Sequence, residues 1–326
     1  MKDFQQLIKK ILKPISFLKK KKRPILYIVF LLCLLVLVSN AIFDVVLRYY
    51  IFNKKVKEFP FKISMAQYPV FRSPIDPDIS AKAVVIMDDD SKVLLFSKNP
   101  NLLFSMASLT KIMTALVALD YYKMDDVLTI KTENVEGVNV GFKKGEKLNF
   151  ADILYAMLLP SGNDAALTLA QNYPGGEVVF VKKMNEMAHS LRLNNTNFAD
   201  PIGLEDSRDY TTPLDLARLA SYALENKIFA NIVATRTKEI SDTIGRNKYL
   251  LKNLNKLLGV SGVNGIKTGY TDEAGQVLVT SKVEVDSNNK KHILIIVVMD
   301  SLDRFWDTSK LLYWMSENIN YLSIHP

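Results

Sequence analysis

The chain has 326 residues, 48% of them hydrophobic, with a formal charge of +8 and one cysteine. That hydrophobic share supports a sizeable core, and 13 glycines with 12 prolines exclude a fibrous or wholly disordered chain. Nine basic residues and one acid within 1–23 carry the whole excess, since the remainder holds 33 basic and 33 acidic residues; outside the tail nothing supports binding to nucleic acid.

The basic tail, 1–23, places Phe4, Leu7, Ile8, Ile11, Leu12 and Ile15 at helical spacing between lysines. That pattern suits an anionic inner leaflet, although Pro14 interrupts it. Ile25 to Phe43 then run for nineteen residues without a charge. At about 1.5 Å per residue such a helix just crosses a hydrocarbon core of roughly 30 Å. We therefore expect a transmembrane anchor over 24–43, with 1–23 cytoplasmic and the chain after Asp44 outside the cell membrane. Two other readings stay open. Ser39-Asn40-Ala41 would suit a cleaved signal peptide, and a buried core helix is the blander choice. Cys33 lies inside this run, so no intrachain disulfide is available to the exported part.

Residues 44–78 mix lysines, aromatic residues and four prolines without periodicity, which reads as a stalk. A single domain is expected over 79–322. It opens with Ala83–Met87 and Lys92–Phe96, joined as a hairpin by Asp88-Asp89-Asp90-Ser91. Helical patterns follow at Ser108–Tyr122, Phe150–Leu159, Ala165–Gln171 and Val178–Leu191. Another helix spans Pro213–Glu225, with Thr211 or Thr212 as N-cap and Pro213 in the first turn. Gln276–Val285 and His292–Met299 are strands around the turn Asp286–Asn289, and Arg304–Asn318 is a closing amphipathic helix. This order predicts an α+β domain whose two strand pairs join in one antiparallel sheet.

Three short segments carry chemistry. A serine hydroxyl needs a neighbouring base, and a lysine three residues on along a helix brings one within reach. Ser108-Leu109-Thr110-Lys111 has that spacing, but so do triplets beginning at Ser16 and Ser287. Only Ser108 opens a long apolar helix; taken alone, a capping serine and a solvated lysine explain it better than catalysis does. A lysine of ordinary pKa near 10.4 is protonated and useless as a base, so burial or a second cation must lower it. Ser161-Gly162-Asn163 is weaker still, since a helix N-cap accounts for it. Lys267-Thr268-Gly269 occurs once and precedes or opens the strand at Gln276; a turn with a solvated lysine is the bland reading.

In order, spacing and setting these segments are together similar to the Ser-x-x-Lys, Ser-x-Asn and Lys-Thr-Gly elements of penicillin-recognising serine enzymes. From about Ala83 to Trp314 the chain resembles the low-molecular-weight penicillin-binding proteins, serine D-alanyl-D-alanine carboxypeptidases of the S11 peptidase type. The likeness includes Leu159-Pro160-Ser161-Gly162-Asn163-Asp164-Ala165-Ala166 and Gly265-Ile266-Lys267-Thr268-Gly269-Tyr270-Thr271. Asp200-Pro201-Ile202-Gly203-Leu204 departs from the family's Asn-Pro-x-Gly-Leu at its first residue.

The resemblance implies a β-lactamase/transpeptidase-like fold, an antiparallel sheet flanked by helices plus an all-helical subdomain. It implies Ser108 as nucleophile toward the penultimate D-alanine of peptidoglycan stem peptides, Lys111 as base and Ser161 as proton carrier. Asn163, Lys267, Thr268 and Gly269 would bind substrate, and the backbone N–H groups of Ser108 and Tyr270 would form the oxyanion hole. Lys267 would also supply the cation that depresses Lys111. β-Lactam antibiotics would be acylating inhibitors. No metal or cofactor is expected, because His189, His292 and His325 are scattered. The alternatives are a DD-endopeptidase, a β-lactamase, or a wall-binding protein without turnover. The β-lactamase reading lacks a matching glutamate, with Glu177 and Glu186 in helical pattern and expected to be solvated.

Overall fold

The computed structural model describes residues 27, 30–40, 42–43, 68–71, 75–204, 207–286 and 289–322. Within 1–64, which forms its own unit, 30–40 and 42–43 are helical. Among the described residues no helix is long and apolar enough to cross a membrane. The tail 1–23, residues 24–26, 28, 29 and 41 of the expected anchor, and 44–67 and 72–74 of the expected stalk lie outside the described residues.

Residues 65–326 form the second unit. Its centre is a five-stranded antiparallel sheet of order β3-β2-β10-β9-β8. The strands are β2 (Ala83–Asp88), β3 (Leu94–Lys98), β8 (Val263–Thr271), β9 (Gly275–Val285) and β10 (Lys291–Ser301). The two expected strand pairs thus do share one sheet, with Val84 opposite Val298 and Ile296 opposite Thr280.

Both faces of this sheet are covered, which explains why β2 and β10 read as unbroken apolar runs rather than alternating ones. Successive side chains point to opposite faces. Ala83, Val85, Met87, Ile295, Val297 and Met299 enter the larger core, while Val84, Ile86, Leu294, Ile296 and Val298 enter the smaller one. The smaller core is closed by α7 (Arg304–Asn318) through Leu311, Leu312 and Met315. Each of those side chains contributes roughly 1.5–3 kcal/mol by leaving water.

The larger core lies under six helices: α1 (Lys111–Tyr121), α2 (Phe150–Leu158), α3 (Asn163–Asn172), α4 (Gly176–Ser190), α5 (Pro213–Glu225) and α6 (Lys227–Val233). Helix α1 is buried from Lys111 to Ala118 and packs against α2, α3, α4 and α5. The cap of α5 is as expected, with Asp215 N–H donating to Thr212 Oγ1 at 3.2 Å.

Three findings correct the sequence reading. Tyr68–Phe71 of the expected stalk is a strand, β1, paired antiparallel with β11 (Ile319–Leu322); its proline is tolerated because β1 has one neighbour only. The Lys-Thr-Gly segment precedes β9, as one of the two readings had it, but does not lie in a turn. It sits inside a strand of its own, β8, at the sheet edge, which glycine-rich composition concealed. Two small pairs were also missed: β4 (Val127–Thr129) with β5 (Lys147–Asn149), and β6 (Thr237–Ser241) with β7 (Lys248–Lys252).

Candidate active site

Ser108 lies not in α1 but in a 3-10 turn, Ala107–Thr110, that leads into it. Ala107 enters this turn with φ +47°. Gly203 packs so closely beneath it that a Cβ there would lie 2.0 Å from the Ala107 carbonyl. Ser108 stays half-exposed while Lys111 is fully buried. Lys111 Nζ donates to Ser108 Oγ at 3.0 Å and to the Ile202 carbonyl at 2.7 Å.

Burial lowers the Lys111 pKa from 10.5 to about 7, while Asp200, Asp164 and Asp209 pull it back up. The expected cation effect falls mainly on the other lysine. Lys267 is held well below the ordinary value by burial, then by Lys111 and Arg304. Lys111 is thereby able to act as a base near neutral pH.

Ser161 sits between α2 and α3 with φ +68°, and its hydroxyl accepts from Lys267 Nζ at 2.8 Å. A second Lys267 bond, to the Thr268 carbonyl at 2.9 Å, fixes the ammonium. Asn163 is the first residue of α3, whose N-cap is Gly162 rather than Ser161. The Asn163 amide donates to the Glu136 carbonyl at 2.6 Å, and its Oδ1 is buried with no partner among the described residues. The neighbouring Asp164 carboxylate accepts from the N–H groups of Val140, Gly141 and Phe142, which ties this loop to α3.

Strand β8 runs beside Ser108. A Cβ on Gly269 would lie 3.1 Å from Ser108 N and 3.2 Å from Ala107 Cβ, so only glycine lets the strand approach this far. The Tyr270 ring points out, its hydroxyl donating to Asp272 at 2.8 Å. The structure thus brings Lys111 and Gly269 against Ser108 and Lys267 against Ser161, with Asn163, Thr268 and Tyr270 next to them along the chain. Among the described residues no group of His, Cys, Asp or Glu could hold a metal ion.

A family model described as D-alanyl-D-alanine carboxypeptidase, peptidase S11, matches residues 71–302. The chain belongs to the S11 family. It is a serine hydrolase of the D-alanyl-D-alanine carboxypeptidase type. Similar proteins include a D-alanyl-D-alanine endopeptidase of Pseudomonas aeruginosa, 31% identical over 78% of this chain and 83% of that one. The carboxypeptidase DacF of Bacillus subtilis is 34% identical over 62% of this chain, which spans about half (54%) of its length. DacC of Escherichia coli is 34% identical over 73% of this chain and 62% of that protein. The DD-transpeptidase of Streptomyces K15 superposes with a TM-score of 0.68, at 30% identity, over 74% of this chain and 99% of that one.

Around this site the structure gives Asp200 a role and adds Arg304. The Asp200 carboxylate accepts from the N–H groups of Ile202 and Gly203 at 2.6 Å and Leu204 at 3.0 Å. It thus shapes the turn that offers the Ile202 carbonyl to Lys111. Arg304, at the start of α7, donates to the Gly269 carbonyl at 2.8 Å and braces β8 from behind. Asp200 stands in a segment the sequence had already marked, though without a role, whereas Arg304 lies in no motif and only the fold reveals it. Glu177 departs from its expected solvation. It is half-buried, and burial followed by Asp200 raises its pKa.

Proposed function

We propose that the protein removes the terminal D-alanine from peptidoglycan stem peptides through an acyl-enzyme on Ser108. The observation that carries this is Lys111, fully buried, poised near pH 7 and 3.0 Å from a half-exposed serine. Ser108 Oγ attacks the carbonyl carbon of the penultimate D-alanine as Lys111 takes its proton. The oxyanion is met by the backbone N–H groups of Ser108 and Tyr270. The peptide C–N bond then breaks, and Ser161, backed by Lys267, passes a proton to the departing amine. Water attacks the ester, Ser108 leaves and recovers its proton, and the shortened peptide is released.

Thr268, with Lys267 behind it, would hold the substrate carboxylate, and Asn163 the peptide backbone. A β-lactam would enter the same sequence and stall at the ester. The anchor at 24–43 is part of this proposal. Its described portion is helical, with Phe30, Leu31, Leu35 and Leu37 exposed, as lipid-facing side chains would be. The domain over 79–322 would then face the cell wall, with the tail 1–23 in the cytoplasm and 44–67 as the tether.

A second reading, cleavage of cross-links, draws on the Pseudomonas aeruginosa relative named an endopeptidase. The test is mass spectrometry of the full chain after penicillin, paired with D-alanine release from a peptide ending D-Ala-D-Ala. An adduct absent from the wild type, or surviving Ser108→Ala, would sink the mechanism. Faster cleavage of a cross-linked dimer than of the linear peptide would select the second reading. Rapid drug turnover without D-alanine release would mean a β-lactamase instead.

A further inference from the structure

The turn before β5 and the tip of the β6–β7 hairpin enclose a concavity of about 360 Å³. Four exposed cations line it, Lys143, Lys144, Lys147 and Arg246, against two acids, Glu146 and Asp242. The acids are used up as struts. Glu146 accepts from Tyr249 Oη at 2.8 Å and from Asn247 Nδ2. Asp242 accepts from the Arg246 N–H at 2.7 Å.

The cations have no such engagement, because none forms an ion pair among the described residues. The walls are also fixed in advance, since Thr243 N–H donates to the Lys147 carbonyl at 2.8 Å and joins the two loops. Both loops turn at a glycine with positive φ, Gly145 at +89° and Gly245 at +70°, and a Cβ at either would meet nothing within 4 Å. Backbone and cations are thus open to a ligand from two sides.

We propose that this concavity is an anion site that takes a phosphate group. A carboxylate offers two oxygens in one plane, whereas a phosphate presents oxygens in three directions. The guanidinium fork of Arg246 and ammonium groups on the opposite loop can engage these together. Charge outside the tail balances at 33 basic and 33 acidic residues, so this local excess of four to two is a focused feature rather than a share of a basic surface. The phosphate could be carried by a phosphodiester wall polymer or by an anionic lipid headgroup. The shared chemistry is what the pocket recognises.

The test is calorimetric titration of the full chain, in neutral detergent at low salt, with pyrophosphate. Three proteins are compared: wild type, the pair Lys144→Ala with Arg246→Ala, and a tail variant with Lys19, Lys20, Lys21 and Lys22 changed to Ala. The expected result is a loss of about tenfold or more in affinity for the pocket variant only, with wild-type binding weakened by added salt. Penicillin labelling of Ser108, retained in both variants, verifies the fold independently of the pocket. No binding to wild type, equal binding by the pocket variant, or a loss confined to the tail variant would each overturn the site. Competition then identifies the source. Displacement by soluble oligo(glycerol phosphate) points to a wall polymer, and displacement by phosphatidylglycerol bicelles points to a headgroup. Displacement by neither, with citrate effective instead, rejects phosphate as the ligand.

Discussion

Lys267 Nζ donates to Ser161 Oγ at 2.8 Å, joining an edge strand to the link between two helices 106 positions earlier in the chain. The bond makes these two residues one unit, so their removal should not be additive. Ser161→Ala and Lys267→Met are each expected to slow acylation of Ser108 by roughly 10²–10⁴-fold. The double variant should be little worse than the more damaged single one. Penicillin acylation rates measure this directly, and a product of the two separate losses would show that the residues act independently.

Lys111 must be neutral to accept the serine proton, and burial brings its pKa to about 7. Activity should therefore fall about tenfold per pH unit below that value. The Asp200 carboxylate favours the charged lysine, so Asp200→Asn should move this acid limb to lower pH. A pH profile of acylation for both proteins is the check. An unmoved limb would mean that Asp200 acts only on the turn.

The same lysine penalises folding. Its pKa is lower folded than unfolded, so the unfolded chain binds more protons between about pH 7 and 10.5. The penalty is full below that window and fades as pH rises through it. Lys111→Met should be inactive yet more stable at pH 6, by roughly 1–4 kcal/mol, with the gain shrinking toward pH 10. Denaturant midpoints at several pH values test the sign.

Gly269→Ala places a methyl 2.8 Å from the Val277 side chain and 3.1 Å from Ser108 N. Overpacking of this kind costs roughly 1–3 kcal/mol of stability. The displaced strand should lower the acylation rate by about 100-fold, because the oxyanion donors shift away from the nucleophile. A well-folded Gly269→Ala protein with normal acylation would argue that β8 can yield without harm.

Asp307 holds the start of β2 to α7, accepting from Ser80 N–H, Ser80 Oγ, Ala81 N–H and Ser301 Oγ. Burial opposes its ionisation, but these bonds outweigh burial and hold its pKa below the usual carboxylate value. Its contribution is thus present above about pH 4 and lost as pH falls further. Asp307→Ala should destabilise the domain by roughly 3 kcal/mol at pH 7 while leaving penicillin acylation intact below the melting temperature. Equal loss at pH 3 and pH 7 would contradict the charge-based account.

The sequence by itself determined the helices with strong amphipathic or capping signals, such as Pro213–Glu225 and Arg304–Asn318, because those signals are local. It also singled out the segments Ser108–Lys111, Ser161–Asn163 and Lys267–Gly269, whose residue types and order belong to the chain itself. What it could not supply were features set by distant partners. Edge strand β8 is glycine-containing and weakly periodic, so pairing with β9 creates it. Ala107 and Ser161 hold left-handed backbone angles because packing around them imposes that geometry. The low pKa of Lys111 arises from burial under helices far apart in sequence. Local propensity marks what a segment can become; desolvation and cross-chain hydrogen bonds, present only once the core has closed, decide which serine and which lysine meet.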